Sequence, residues 1–135
     1  VGGVIVFDRS VPEEERVWIG RLARRFLRAC GLESWELVVK LKRFRGTQLA
    51  ECEVQAMSTR AILTLHPARL ENREAVRTDA MHELWHMLDE ELIDTLADLA
   101  AHIPDEKKRR RAYRRAERRY EAWHDRTARV VGSLL

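Results

Sequence analysis

Between Trp35 and Leu65 the chain abandons helical periodicity for alternation, and this change of period limits its fold more than any other feature. Trp35, Leu37, Val39 and Leu41 fall on one face of an extended segment, with Glu36, Lys40 and Lys42 mainly on the other, as in a half-buried strand. After a turn at Arg45-Gly46-Thr47-Gln48, the segment Leu49 to Met57 alternates again, placing Ala50, Cys52, Val54 and Ala56 opposite Glu51, Glu53 and Gln55. Ala61 to Leu65 is a third, more uniformly apolar strand that ends before Pro67. These strands leave too little chain for an all-helical bundle, so the helical segments on either side must cover a small sheet.

Ahead of the strands, Val4 to Phe7 reads as a short edge or leading strand, and Ser10-Val11-Pro12-Glu13 as a capping box with Pro in the first helical turn. In the helix that follows, Ile19, Leu22, Ala23, Phe26, Leu27 and Cys30 keep the 3.6-residue period opposite Arg21, Arg24, Arg25 and Arg28, with Gly31 as the stop. Past His66-Pro67 the chain is helical to its end, interrupted most clearly at Ile103-Pro104-Asp105. Asn72 or Thr78-Asp79 can cap the first of these helices, which carries Met81, Leu84, Trp85, Leu88 and Leu92 at three- and four-residue spacing, and Asp94-Thr95 offers it a hinge. The expected architecture is α+β, a single domain over residues 1–135. It has an N-terminal helix, a small, mainly three-stranded twisted sheet, a further long helix and C-terminal helices.

At 135 residues and 45% hydrophobic the chain has room for one core. Its start lacks the basic and long apolar regions of a signal peptide, and no apolar run approaches the roughly 18 residues of a membrane span. No membrane partner is therefore expected. Cys30 and Cys52, outside any C-x-x-C pair, read as core residues of a reduced cytoplasmic protein. Net charge is only +3, but Lys107 to Arg119 is crowded with basic residues. Arg110, Arg111, Arg114 and Arg118 are candidate anion-binding groups there, and segment 107–119 a candidate nucleic-acid contact. Against it stands a plain solvated basic helix, because aromatic interleaving is limited to Tyr113 and Tyr120.

The chemistry concentrates in His82-Glu83-Leu84-Trp85-His86, an H-E-x-x-H run within the helical stretch. On an α-helix the i and i+4 imidazoles share a face and can reach one ion, while Glu83 projects about 100° round, placed to act as general base without ligating. A catalytic zinc site commonly uses three protein ligands. Glu90 lies about 12 Å along the axis from His82 at about 1.5 Å per residue, and Asp89 is little better placed, so the third ligand should come from another helix folded back near Pro104. Glu117, Glu121, His124 and Asp125 are the candidates, with His102 just before the turn. In that helix Trp123, Thr127 and Val130 or Val131 are expected toward the core, and Glu121 and Asp125 on a neighbouring face.

HELWH preceded by AILTLHP, a helix, three strands and a helix in that order, and a late EAWHDRTARVV together resemble the zincin metallopeptidases, specifically the small one-domain gluzincin-like proteins of bacteria and phages. The chain departs from that pattern at Tyr120, where a second acidic residue is frequent, and at Thr127, where Leu is usual. The resemblance implies a zincin-like fold and one Zn2+ per chain held by His82, His86 and Glu121. It also implies Glu83 as base, and a protein or peptide substrate bound in extended form along the sheet edge Leu49 to Met57. Zinc would polarise the scissile carbonyl and acidify a water whose proton Glu83 takes. Tyr113, Tyr120 and His124 are candidate transition-state stabilisers. Two other readings compete. One is a nucleic-acid- or protein-binding module with a structural or degenerate metal site. The other, weaker, is a di-metal carboxylate protein built on Glu83-x-x-His86 and Glu121-x-x-His124, which the strands disfavour.

Overall fold

A computed structural model describes residues 4–134, so Val1–Gly3 and Leu135, the outermost residues of the expected domain, lie outside the described residues. The element order is β1 (Val4–Phe7), α1 (Glu13–Ala29), β2 (Glu36–Leu41), β3 (Ala50–Gln55), β4 (Arg60–Leu65), α2 (Arg73–Leu84), α3 (His86–Ala101) and α4 (Glu106–Leu134). The fold is thus mixed α+β, four helices on a four-stranded sheet. Three strands were expected to form most of the sheet; β1 completes it, because α1 supplies the crossover that two parallel strands require. The strands lie in the order β1-β2-β4-β3, with β1, β2 and β4 parallel and β3 antiparallel on the other edge.

Register places the core residues on one face and leaves Val6, Val38 and Ile62 as a partly exposed row on the other. Ile5, Leu37, Ala61 and Val54 form one row across the sheet and Phe7, Val39, Leu63 and Cys52 the next, all within or against the core. The reverse face carries Glu36 and Arg60, paired at 3.4 Å, together with Lys40, Glu51 and Glu53. The helices therefore cover one side only, through Ile19, Leu22, Phe26 and Leu27 of α1 and Val76, Ala80, Met81 and Leu84 of α2. Each fully buried Leu or Phe at such a position contributes about 1.5–3 kcal/mol by leaving water.

The two ends of α1 illustrate local chemistry, one against expectation. Ser10 does not cap the helix; its Oγ accepts from Leu41 N–H at 3.0 Å, tying the β1–α1 turn to β2, and Pro12 takes the N-cap position without a side-chain bond. At the other end Gly31 has φ +69°, and Leu32 N–H reaches Leu27 O at 2.8 Å while Gly31 N–H reaches Arg28 O at 3.3 Å. This is a Schellman motif, which needs the left-handed residue that glycine supplies without strain. Asn72 caps α2 as anticipated, its Oδ1 accepting from Ala75 N–H at 3.1 Å.

The break in the long helical stretch falls inside the HELWH run and not at Asp94-Thr95, through which α3 is continuous. Trp85 has φ −59° and ψ −25°, near 3₁₀ values, and Leu88 N–H bonds to Trp85 O at 3.0 Å, three residues back. The ring of Trp85 meets Phe26 edge-on with centroids 6.4 Å apart, which anchors this turn to the core. Helix α4 then returns after Pro104 and packs along α2 and α3. Among the described residues no helix is long and apolar enough to cross a membrane.

Candidate metal centre

Three imidazoles converge where α2, α3 and α4 meet. Ligand atoms of His82, His86 and His124 all lie within 4.8 Å of one another, close enough to hold one metal ion. The His86 and His124 rings stack with centroids 4.0 Å apart, and His82 stands edge-on to both, at 5.9 Å from His86 and 4.6 Å from His124. Helix α4 delivers His124 because Tyr120, His124 and Ala128 form its buried stripe at four-residue spacing. Trp123 and Val130, which were expected inside, are 40% and 57% exposed.

Each imidazole has its Nδ1 turned to a carboxylate. His124 Nδ1 lies 2.5 Å from Asp89 Oδ2, His86 Nδ1 3.4 Å from Asp89 Oδ1, and His82 Nδ1 3.4 Å from Asp125 Oδ1. Such pairing fixes the orientation of each ring. Asp89, excluded by distance as a ligand, is instead the buried hub that orients two of the three histidines. His124 Nε2 also lies 2.7 Å from His82 O, so both its nitrogens face acceptors and both must donate. Binding a metal through Nε2 would break the contact with the His82 carbonyl.

Charge follows this geometry. Burial alone would raise the Asp89 pKa, but hydrogen bonds from His124 and His86 and the nearby Tyr120 hydroxyl bring it well below the usual carboxylate range. Burial likewise opposes the charged form of His124, yet its bonds to Asp89 and to the His82 carbonyl raise its pKa above the ordinary imidazole value. His82 moves the other way, lowered by burial and then by His124 and His86. The Tyr120 hydroxyl and Asp89 Oδ1 are buried without a hydrogen bond of good geometry. They are still near enough that burial and the carboxylate raise the phenol's pKa.

Glu83 sits on the sheet side of α2. His66 N–H donates to Leu49 O at 2.9 Å, which puts Glu51, Glu53 and Gln55 in the hydrogen-bonded pairs of the β3–β4 ladder and turns the backbone groups of Ala50, Cys52 and Val54 to the free edge. Glu83 accepts the Cys52 N–H on that edge; burial nevertheless raises its carboxyl pKa, against the pull of His86 and His124. Two adjoining clefts share Asp79 and His82. The larger, about 650 Å³, is lined by Arg77, Met81, Asp125 and Arg129 among others, and the smaller, about 280 Å³, by Thr47 to Ala50 and Glu83.

The structure thus brings together His82, Glu83 and His86 of the sequence-derived site with His124, which the sequence offered both among four candidates for the third ligand, where the resemblance favoured Glu121, and as a transition-state stabiliser. Glu121 is not among the clustered groups; it is exposed on α4 and lines a groove with Arg114, Glu117 and Arg118, because the buried stripe passes through residues 120 and 124. Tyr120 supports Asp89 from within the core, and Tyr113 lies about 16 Å along α4 from His124 at about 1.5 Å per residue. Arg110 is paired with Glu106 at 2.5 Å, and Arg111, Arg114 and Arg118 are exposed. The four-residue spacing of Tyr120, His124 and Ala128 was the available signal for the third histidine. The donor set, three imidazoles with carboxylates behind them, is one that can hold a metal ion. Compared with protein-family models, curated proteins and solved structures, the chain matches none.

Proposed function

We propose that the protein is a zinc-dependent peptidase of the zincin-like type, with His82, His86 and His124 as the metal-holding residues and Glu83 as general base. The observation that carries this reading is the placement of Glu83 between the three-histidine cluster and the free edge of β3. When bound, Zn2+ supplies Lewis acidity toward a water and a scissile carbonyl. Glu83 would take a proton from the attacking water at its carboxylate and return it to the leaving amine. Its burial brings its pKa nearer the working range of a base at neutral pH. The Cys52 N–H holds that carboxylate in place without neutralising it. Val54 presents its outward backbone groups and Ala50 its N–H, the Ala50 carbonyl accepting from Gln48 Nε2 at 3.3 Å, and an extended peptide can add there as a further strand, in the manner of β-augmentation.

The four-stranded sheet occupies the chain that a carboxylate helix bundle would need, which weighs against a di-metal centre. The deciding experiment pairs metal analysis with activity on casein or a peptide library. One zinc per chain is expected, and Glu83→Gln should keep that zinc while losing about 10²–10⁴-fold in turnover. Hydrolysis undiminished in Glu83→Gln, or two metals per chain, would remove the proposal.

A further inference from the structure

The outer face of α1 has no place in the metal centre. Arg21, Arg24, Arg25 and Arg28 are all exposed, and with Ala29 they line a shallow groove of about 340 Å³. Their spacing of i, i+3, i+4 and i+7 sets them in one stripe about 10 Å long at about 1.5 Å per residue. Within α1, no carboxylate stands three or four residues from any of them. The neighbours at those distances include Arg21–Arg24, Arg21–Arg25, Arg24–Arg28 and Arg25–Arg28, four like-charged pairs that destabilise an isolated helix.

The basic stretch of α4 is built differently. There Arg110 bonds to Glu106, and Glu117 and Glu121 are interleaved with Arg114 and Arg118 in one groove. Local charge on α4 is thus partly neutralised from within, whereas α1 itself places no acidic residue at those spacings from the stripe. Its charges are all guanidinium groups, which match phosphate oxygens with two parallel hydrogen bonds. We propose that this stripe of α1 binds nucleic acid through the sugar-phosphate backbone, independently of base sequence. An anionic membrane is the weaker match, because an interfacial helix needs a free apolar face to insert, and here Ile19, Leu22, Ala23, Phe26 and Leu27 are buried in the core. The inference does not depend on the metal centre or on peptidase activity.

Fluorescence anisotropy of the full chain with a labelled DNA duplex tests it, with phosphatidylserine vesicles as the second arm. The duplex should bind with a log–log salt slope of roughly −3 to −4, about −0.9 for each of four phosphate contacts. R21Q/R24Q/R25Q/R28Q should weaken binding about tenfold or more and flatten that slope, whereas R111Q/R114Q/R118Q should stay within about twofold of the parent. The thermal midpoint of the α1 variant should match or exceed that of the parent, since like-charged pairs are removed. If that variant fails to fold, Arg24→Gln and Arg28→Gln separately should each reduce the slope by about 0.9. Unchanged binding in the α1 variants, loss confined to the α4 variant, or binding to vesicles but not to DNA would overturn the proposal.

Discussion

Asp89 and His124, 35 residues apart in the chain, meet through a 2.5 Å contact between Oδ2 and Nδ1, with both side chains at most 3% exposed. The same carboxylate lies 3.4 Å from His86 Nδ1, so one buried acid sets the orientation of an imidazole on α3 and another on α4. Removing it leaves His124 buried without the carboxylate that favours its charged form. Asp89→Ala should cost about 3–5 kcal/mol in a urea titration of the metal-free protein. It should also weaken zinc about 10–100-fold in competition with a chelator. Zinc affinity unaffected by Asp89→Asn, in a variant that still folds, would show that the carboxylate does not orient the ligands.

The pair also gives the metal-free protein a stability window in pH. The folded pKa of Asp89 lies below its unfolded value near 3.9. Its contribution is therefore complete above about pH 5 and lost as pH falls through the folded value. The folded pKa of His124 lies above about 6.5, so its contribution is complete below that pH and lost as pH rises through the folded value. The pair should therefore stabilise chelator-treated protein most between about pH 5 and 6.5, while the lowered pKa of His82 works the other way as pH falls below about 6.5. Denaturation midpoints across pH would check this, with Asp89→Asn expected to flatten the alkaline decline. A midpoint that climbs from neutral to alkaline pH would contradict a protonated His124.

His124 and Glu121 can be separated as third ligand by substitution. His124→Ala should reduce zinc affinity by about 10²-fold or more, since two imidazoles seldom hold zinc tightly, and Glu121→Ala should leave it nearly unchanged. Equilibrium dialysis against a zinc buffer reads both. The reverse ranking would restore Glu121 and mean that α4 rotates when metal binds.

What the sequence disclosed and what it concealed have separate causes. Alternation at Leu37, Val39 and Leu41 and again at Ala50, Cys52 and Val54 indicated both strands and their buried face, because one parity is wholly apolar and the other is polar but for Val38. HELWH pointed through spacing alone to two of the three clustered histidines and to the carboxylate beside them. The third histidine was among the candidates but not singled out, because α4 buries a stripe that is partly polar: Trp123 is the larger apolar residue and draws a periodicity argument one position away from Tyr120, His124 and Ala128. Ser10 misled for a related reason, since a hydroxyl that fits a capping box bonds equally well to a strand N–H when tertiary packing brings Leu41 beside it. Local patterns report what a segment prefers. They do not report which partner arrives from elsewhere in the chain.

Cys52 supplies a test of the cleft's electrostatics that does not require metal. Burial, followed by the negative charges of Glu83, Glu90 and Glu53, pushes its thiol up to about 12, whereas burial alone raises that of Cys30. Thiolate is the reactive form. Relative to an ordinary thiol near 8.5, Cys52 at mildly alkaline pH should be modified about 10³-fold more slowly, if its access and intrinsic reactivity were ordinary. Ellman's reagent on Cys30→Ser, which leaves Cys52 alone, should therefore give a slow phase. Adding Glu83→Gln should speed that phase, because one of the charges opposing ionisation is gone and the Cys52 backbone N–H keeps an acceptor. Fast modification of Cys52 in the folded Cys30→Ser protein would mean that the edge of β3 is wetter than the buried placement of Glu83 implies. A rate insensitive to Glu83→Gln would mean that the carboxylate is neutral, and unable to act as a base, before substrate arrives.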